Sequence, residues 1–311
     1  MKAELQATAQ RIKPYIHRTP VLTSSKLNEI SGAEIYFKCE NFQKMGAFKM
    51  RGAINAVLQL NDEQKSKGVV THSSGNFAQA VSLSAKLLGI DAQIVMPSSA
   101  PKVKQEAVAG YGGKITISEP TLEAREAAAN KIIKDTGASF LHPSNDMDVI
   151  MGNSTAGQEL LEEYPDLDVL MSPIGGGGLI AGTALTAHYL GNNCITIGGE
   201  PMRVDDAYRS LKSGKIERNS RTDTIADGLR TTLGDINFPI IQKYVFDIIR
   251  VEEDEIVTAM RLIWERMKII IEPSCAVPFA AVLKEPNIFK NKKLGIIITG
   301  GNVDLAKLPF H

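Results

Sequence analysis

Cysteine is scarce in this chain, net charge is absent, and no apolar run is long enough to cross a bilayer. The three cysteines, Cys39, Cys194 and Cys275, form no CxxC pair and leave an odd count. That suits reduced thiols in a reducing compartment rather than a disulfide framework. Lys and Arg number 35, as do Asp and Glu, so no broad electrostatic field draws nucleic acid or an anionic membrane. The amino terminus, MKAELQATAQRIKPYI, mixes charge into helix-like apolar spacing and lacks the continuous core of a signal peptide. A cytoplasmic location is the expectation. The five histidines have no metal-ligand spacing. What is present is 311 residues with 43% hydrophobic content, enough for about two domains with buried cores. Small molecules are the partners this leaves.

Short β-branched runs alternate with helical spacing. Strands are expected at 33–40, 68–72, 92–96, 114–117, 168–172, 194–198 and 294–299, several too uniformly apolar for a sheet with one wet face. Helical patterns lie between them, at 76–88, 123–135 and 254–267. The pattern predicts an α/β protein with mainly parallel sheets covered on both sides. In such sheets ligands gather beyond the carboxyl ends of the strands.

Four motifs sit at such ends. Gly46-Ala47-Phe48-Lys49-Met50-Arg51-Gly52 places one lysine at a glycine-bounded turn, where it is either a solvated charge or an amine held for Schiff-base chemistry. Ser73-Ser74-Gly75-Asn76-Phe77-Ala78-Gln79 opens a helix whose first N–H groups could receive a carboxylate, or is an ordinary Ser/Asn cap. Ser172-Pro173-Ile174-Gly175-Gly176-Gly177-Gly178-Leu179 removes every Cβ from a strand-to-helix turn, so its amides can close on a phosphate. It does not complete the G-x-G-x-x-G spacing of a dinucleotide site. Thr299-Gly300-Gly301-Asn302 places a hydroxyl at the end of the last strong strand, for a ring nitrogen or simply as a glycine turn.

With these motifs in this order, the chain resembles the fold-type II pyridoxal-phosphate (PLP) enzymes of the tryptophan synthase β-like fold, and within them the serine racemase and serine/threonine dehydratase group. The resemblance runs from His17-Arg18-Thr19-Pro20 to Gly301-Asn302-Val303-Asp304-Leu305. It implies a large PLP-binding domain of residues 1–67 plus 147–311 and a small mobile domain of residues 68–146 inserted in it. Lys49 would hold the cofactor as a Schiff base beside Phe48, Gly175 to Gly178 would bind its phosphate, Asn76 its ring hydroxyl and Thr299 its pyridine nitrogen. Ser73, Ser74, Gly75, Asn76, Phe77 and Ser144 would meet the substrate, with Ser74 facing Cα opposite Lys49. The implied activity is β-elimination from L-serine, L-threonine or a related β-hydroxy amino acid to a 2-keto acid and ammonia. Racemisation of serine or aspartate is the alternative, followed by hydroxyaspartate dehydration or a cofactor-binding protein without chemistry. A homodimer is implied as well.

The same resemblance assigns Glu200, the Val204 carbonyl and Asp206 to a Mg²⁺ or Ca²⁺ site; the residues alone read as a helix start with favourable charge. Departures cluster near the expected pocket: Phe77 stands where His is usual, Ser144 where Asn or Phe is usual, and Asn153-Ser154 replace Gln-Gly. Substrate preference is therefore left open among β-hydroxy amino acids. Arg125, Asp227-Gly228 and Glu272 are further candidates for the pocket mouth, the face opposite the ring and the ring environment.

Overall fold

Ten strands and the helices between them form two sheets in a computed structural model that describes residues 1–310. The strands are β1 (Val21–Leu22), β2 (Glu34–Cys39), β3 (Val69–His72), β4 (Ala92–Pro97), β5 (Lys114–Ser118), β6 (Ser139–Phe140), β7 (Val169–Pro173), β8 (Ile195–Pro201), β9 (Val245–Val251) and β10 (Lys293–Ile298). One sheet has the order β1-β2-β10-β7-β8-β9 and the other β5-β4-β3-β6. Only β1 runs antiparallel to its neighbour. The second sheet is built wholly from a stretch inserted between β2 and β7 in the chain.

Uniformly apolar strands follow from burial on both faces. In β10, Ile296 and Ile298 pack with Phe37, Met171 and Phe279, whereas Ile297 points the other way into Phe48, Ala156 and Leu179. In the smaller sheet, Val69 and Ile94 pack with Phe77 and Val81, while Val70 and Val95 meet Ala129 and Ala138. These inner strands therefore lack the polar-out alternation of a half-wet sheet. The expected strands and helices all occur, with ends displaced by at most a few residues.

Three strands went unforeseen. β1 and β6 are only two residues long, too short for a periodic signal. β9, Val245-Phe246-Asp247-Ile248-Ile249-Arg250-Val251, is an edge strand whose Asp247 and Arg250 interrupt its apolar run and whose Phe246 is 69% exposed. Charged interruptions of this kind are a usual feature of sheet edges.

The helix Lys49–Gln59 is tied to the larger sheet by a buried ionic cluster. Arg51 donates to Glu40 through Nε (2.7 Å) and Nη2 (2.8 Å), and to Glu159 through Nη1 (2.8 Å) and Nη2 (2.9 Å). Lys38 closes the set, its Nζ lying 2.7 Å from Glu159 and donating to the Thr19 carbonyl. Two cations thus face two carboxylates, and Arg51, Lys38 and Glu40 are all fully buried. Facing cations hold Glu159 below the ordinary carboxylate range despite its burial. Its contribution is therefore present at neutral pH and is lost as acid titrates the folded carboxylate.

Removing one member leaves an uncompensated buried charge, which is the costly case for such clusters. Arg51→Met should lower the unfolding free energy of the apoenzyme by about 3–5 kcal/mol in urea denaturation. A loss within about 0.5 kcal/mol, the size of a neutral surface change, would contradict this role for the cluster.

Candidate active site

Three neighbouring parallel strands, β2, β10 and β7, deliver three of the motifs to one end of the larger sheet. The turn after β2 carries Lys49, the residue after β10 is Thr299, and the loop after β7 is the glycine run. The fourth motif follows β3 of the other sheet and faces them. Lys49 Nζ lies 5.5 Å from the Phe77 ring centroid and 5.0 Å from that of Phe48, and it donates to the Pro143 carbonyl at 2.7 Å.

The lysine turn is stitched to the Thr299 loop. Phe48 donates its amide to the Thr299 carbonyl (2.9 Å), Gly301 donates to the Gly46 carbonyl (2.9 Å), and Ala47 bridges Gly300. Gly46 takes φ 77°, and a Cβ there would lie 2.8 Å from Asn302 Oδ1. Only glycine fits that approach. Lys49 is thereby held on the framework, and burial lowers its amine to about pH 8, against a partly opposing influence from Glu272. More neutral amine is then available near neutrality than on a solvated lysine, which nucleophilic attack requires.

The glycine loop is a cradle of uncommitted donors. Among the described residues, the amides of Gly175 to Gly178 donate to no acceptor, although all four glycines are buried. Buried N–H groups without partners are rare in a finished fold, and here they gather at the start of the helix Gly178–Leu190. Cβ atoms would fill the space: one on Gly178 would lie 2.8 Å from the Ser144 backbone, and one on Gly176 would lie 2.4 Å from Ser144 Oγ. Donors at a helix start, bare of side chains, fit a phosphate. Together with Lys49 they match what PLP requires.

Asn237 is a participant that sequence reading missed. Fully buried, it donates through Nδ2 to the carbonyls of Ser144 (3.1 Å) and Gly176 (2.8 Å) and accepts from the Gly234 amide (3.1 Å). It fixes the loop from behind. His142 acts likewise: its Nδ1 accepts from the amides of Ser144 (3.2 Å) and Asn145 (2.8 Å), so Nε2 carries the proton. Burial pushes this imidazole down to about 4, with His72 and Lys49 adding to the effect. His142 is therefore neutral at physiological pH.

The carboxylate loop is also open. The amides of Ser74, Asn76 and Phe77 donate to no acceptor among the described residues, and neither does the Ser74 hydroxyl. Asn76 donates through Nδ2 to both oxygens of Glu272 (3.0 and 3.1 Å) and accepts from Asn302 Nδ2 (2.9 Å). Burial, then Asp227, raises Glu272 to about 7. Thr299 Oγ1 lies 3.1 Å from the sulfur of Cys275, a buried thiol that burial pushes well up and that also contacts the Gly300 backbone. Asp227-Gly228 packs against the glycine loop, since a Cβ on Gly175 would meet the Gly228 carbonyl at 3.0 Å. Lys104 reaches Asp227 at 2.9 Å.

Two expectations about the pocket need correction. Ser154 does not line it: fully buried in the helix Met147–Glu163, it donates to the Met151 carbonyl and accepts from Gln158, against the helix Gly178–Leu190. Asn153 is likewise buried in that helix, beside Gly52. The changes at Asn153 and Ser154 fall in helix packing, so Phe77 and Ser144 are the departures that remain at the site. Arg125 Nε donates to the carbonyl of Thr121 in its own helical turn.

Glu200 lies near the end of β8, and Val204 and Asp206 follow that strand, away from the glycine loop in sequence. Glu200 accepts from the amides of Ala207 (2.9 Å) and Tyr208 (2.8 Å), and Asp206 accepts from the Leu233 amide (3.0 Å). Both carboxylates are buried, and neither forms a salt bridge among the described residues. Asp205 between them takes Arg209 (2.7 Å) and Arg250 (2.8 Å). Among the described residues, no cluster of three or more His, Cys, Asp or Glu side chains could hold a metal. Among the described residues, no helix is long and apolar enough to cross a membrane.

Comparison with known proteins agrees with this geometry. Residues 12–300 match the family model "Pyridoxal-phosphate dependent enzyme". The chain is 49% identical to the β-hydroxyaspartate dehydratase of Paracoccus denitrificans, over 99% of this chain and 98% of that one. It is 50% identical to the serine racemase of Dictyostelium discoideum, over 98% and 95% respectively, and superimposes on the crystal structure of that enzyme with a TM-score of 0.94, covering 98% of this chain and 99% of that one. It is 47% identical to the L-threo-3-hydroxyaspartate ammonia-lyase of Saccharomyces cerevisiae, over 96% and 92%. The chain belongs to the pyridoxal-phosphate dependent enzymes of fold type II.

Proposed function

We propose that this protein eliminates water from a small β-hydroxy amino acid, giving a 2-keto acid and ammonia, at a site built on Lys49. The observation that carries this reading is the meeting of a held, partly desolvated lysine with two sets of uncommitted amides. One set, at Gly175 to Gly178, suits the cofactor phosphate, and the other, at Ser74, Asn76 and Phe77, suits the substrate carboxylate. The relatives' names, a hydroxyaspartate dehydratase, a hydroxyaspartate ammonia-lyase and a serine racemase, point to the same substrate class.

PLP, when bound, supplies an electron sink for the pair left at Cα. The chain's residues do the rest. Gly175 to Gly178 would hold its phosphate, Phe48 would lie beside its ring, Asn76 and Thr299 would meet its polar edges, and Ser73 to Phe77 with Ser144 would orient the substrate. Lys49 Nζ takes the Cα proton from one face, and the β-hydroxyl leaves as water with a proton from a general acid. The released enamine tautomerises and hydrolyses in water to the keto acid and ammonia.

Racemisation is the second reading, favoured by the free Ser74 hydroxyl. Placed opposite Lys49, Ser74 would return a proton to the other face of Cα before the hydroxyl leaves. Lys49→Ala should abolish both activities, whereas Ser74→Ala should leave elimination from the L-enantiomer and lower racemisation by about 10²–10⁴, the usual size of an acid–base contribution. Equal loss of both in assays of keto acid and enantiomer conversion would overturn this division.

We further propose a Mg²⁺ or Ca²⁺ site at Glu200, the Val204 carbonyl and Asp206. Two buried carboxylates without a salt-bridge partner, beside a carbonyl that accepts no hydrogen bond among the described residues, support it. EDTA should lower both thermal midpoint and activity, and added Mg²⁺ or Ca²⁺ should restore them; no change in either would remove the assignment.

A further inference from the structure

The side-chain amide of Asn76 lies in a chain of hydrogen bonds whose direction is set at its far end. Asn302 Nδ2 donates to the Met45 carbonyl at 2.9 Å and to Asn76 Oδ1 at 2.9 Å. A carbonyl can only accept, so the Asn302 atom facing Met45 is nitrogen, and its second N–H makes the Asn76 atom it meets an oxygen. The other end of the Asn76 amide, Nδ2, then faces Glu272. Each assignment follows from the one before it and not from the charge of Glu272.

The geometry at Glu272 leaves one donor over. Both carboxylate oxygens lie at nearly equal distances from Asn76 Nδ2, 3.0 and 3.1 Å. They subtend a far smaller angle at that nitrogen than its two N–H bonds make with each other, so one hydrogen is shared between them. The second N–H of Asn76 is uncommitted, while its carbonyl is occupied by Asn302.

The anchor of this chain is the turn that carries Lys49. Met45 is one of four non-glycine residues with positive φ (55°), and it precedes Gly46 (77°). A side chain on Gly46 would strike Asn302 Oδ1. The lysine turn and the orientation of Asn76 are thus fixed by the same contact, although Asn76 belongs to the helix after β3 in the other sheet.

We propose that Asn302 is a positioning residue that sets the polarity of the Asn76 amide, so that Asn76 presents only an N–H donor to the ring oxygen of the cofactor. This rests on the proposed role of Asn76 in holding that oxygen. A donor-only partner favours the deprotonated ring oxygen, whereas an amide turned over would present its carbonyl and favour the protonated one. Glu272 receives the amide but does not choose its direction.

Asn302→Asp removes both donors and offers acceptors only, which turns the Asn76 amide over. The expected result is about ten-fold weaker PLP binding to the apoenzyme, with the visible band of the bound cofactor moved toward the form protonated on the ring oxygen. Glu272→Gln should move the band less than Asn302→Asp does, because Met45 still fixes the polarity and the new amide can offer its carbonyl. A wild-type band and affinity in Asn302→Asp, or a band moved as far in Glu272→Gln, would overturn the proposal. A double-mutant cycle of Asn76→Ala and Asn302→Ala on the apoenzyme's thermal midpoint reads the contact without cofactor: non-additive midpoints are expected, and additive ones overturn it. Failure of the wild-type protein to form any Lys49-dependent band would instead sink the function proposed above, while that apoenzyme cycle still decides the role of Asn302.

Discussion

Arg51 is held by two buried carboxylates, and the placement of Lys49 depends on it. Both residues sit in the first turn of the helix Lys49–Gln59. Residues two apart on a helix do not share a face. With the guanidinium locked between Glu40 and Glu159, the helix cannot rotate, and Lys49 is turned toward Phe77 and Pro143. The cluster thereby joins β2, the helix Met147–Glu163 and the segment around Thr19 to the base of the site. An isolated buried charge would be ruinous, whereas two cations between two carboxylates give one fixed geometry at a tolerable desolvation cost.

Above that base, the site is assembled from loops with donors to spare. The glycine run and the Ser73–Phe77 loop both carry amides that donate to no acceptor among the described residues. Lys49 lies between them, with its amine brought down by burial. The two sheets meet across this gap through side-chain contacts, Asn76 to Glu272 and Asn302, and Lys104 to Asp227. The polar residues that join the two sheets therefore border the proposed site.

Much of this was legible in the sequence because it is local. Lys49 between Gly46 and Gly52, four consecutive glycines after an apolar strand, and a threonine at a strand end each announce a turn whose purpose a single segment can suggest. The buried ionic cluster was not legible: Arg51 and Glu159 are 108 positions apart, and each alone reads as an ordinary surface charge. Asn76 and Asn302, 226 apart, are hidden for the same reason. Asn237 gave no signal beyond its type, since what matters is its reach to Ser144 and Gly176. Ser154 misled because the resemblance sets its segment beside the pocket, while its own side chain turns into a helix contact. Of the departures noted in the sequence, Phe77 and Ser144 are the ones that border the open amides.

Every proposed step turns on Lys49 as the residue that would be joined to the cofactor. Reduction of the PLP-loaded protein with borohydride, followed by peptide mapping, tests it directly. One pyridoxyl-modified lysine is expected, at position 49, in the peptide that runs through Gly46 and Met50. Stable modification at another lysine, or none at all, would contradict it.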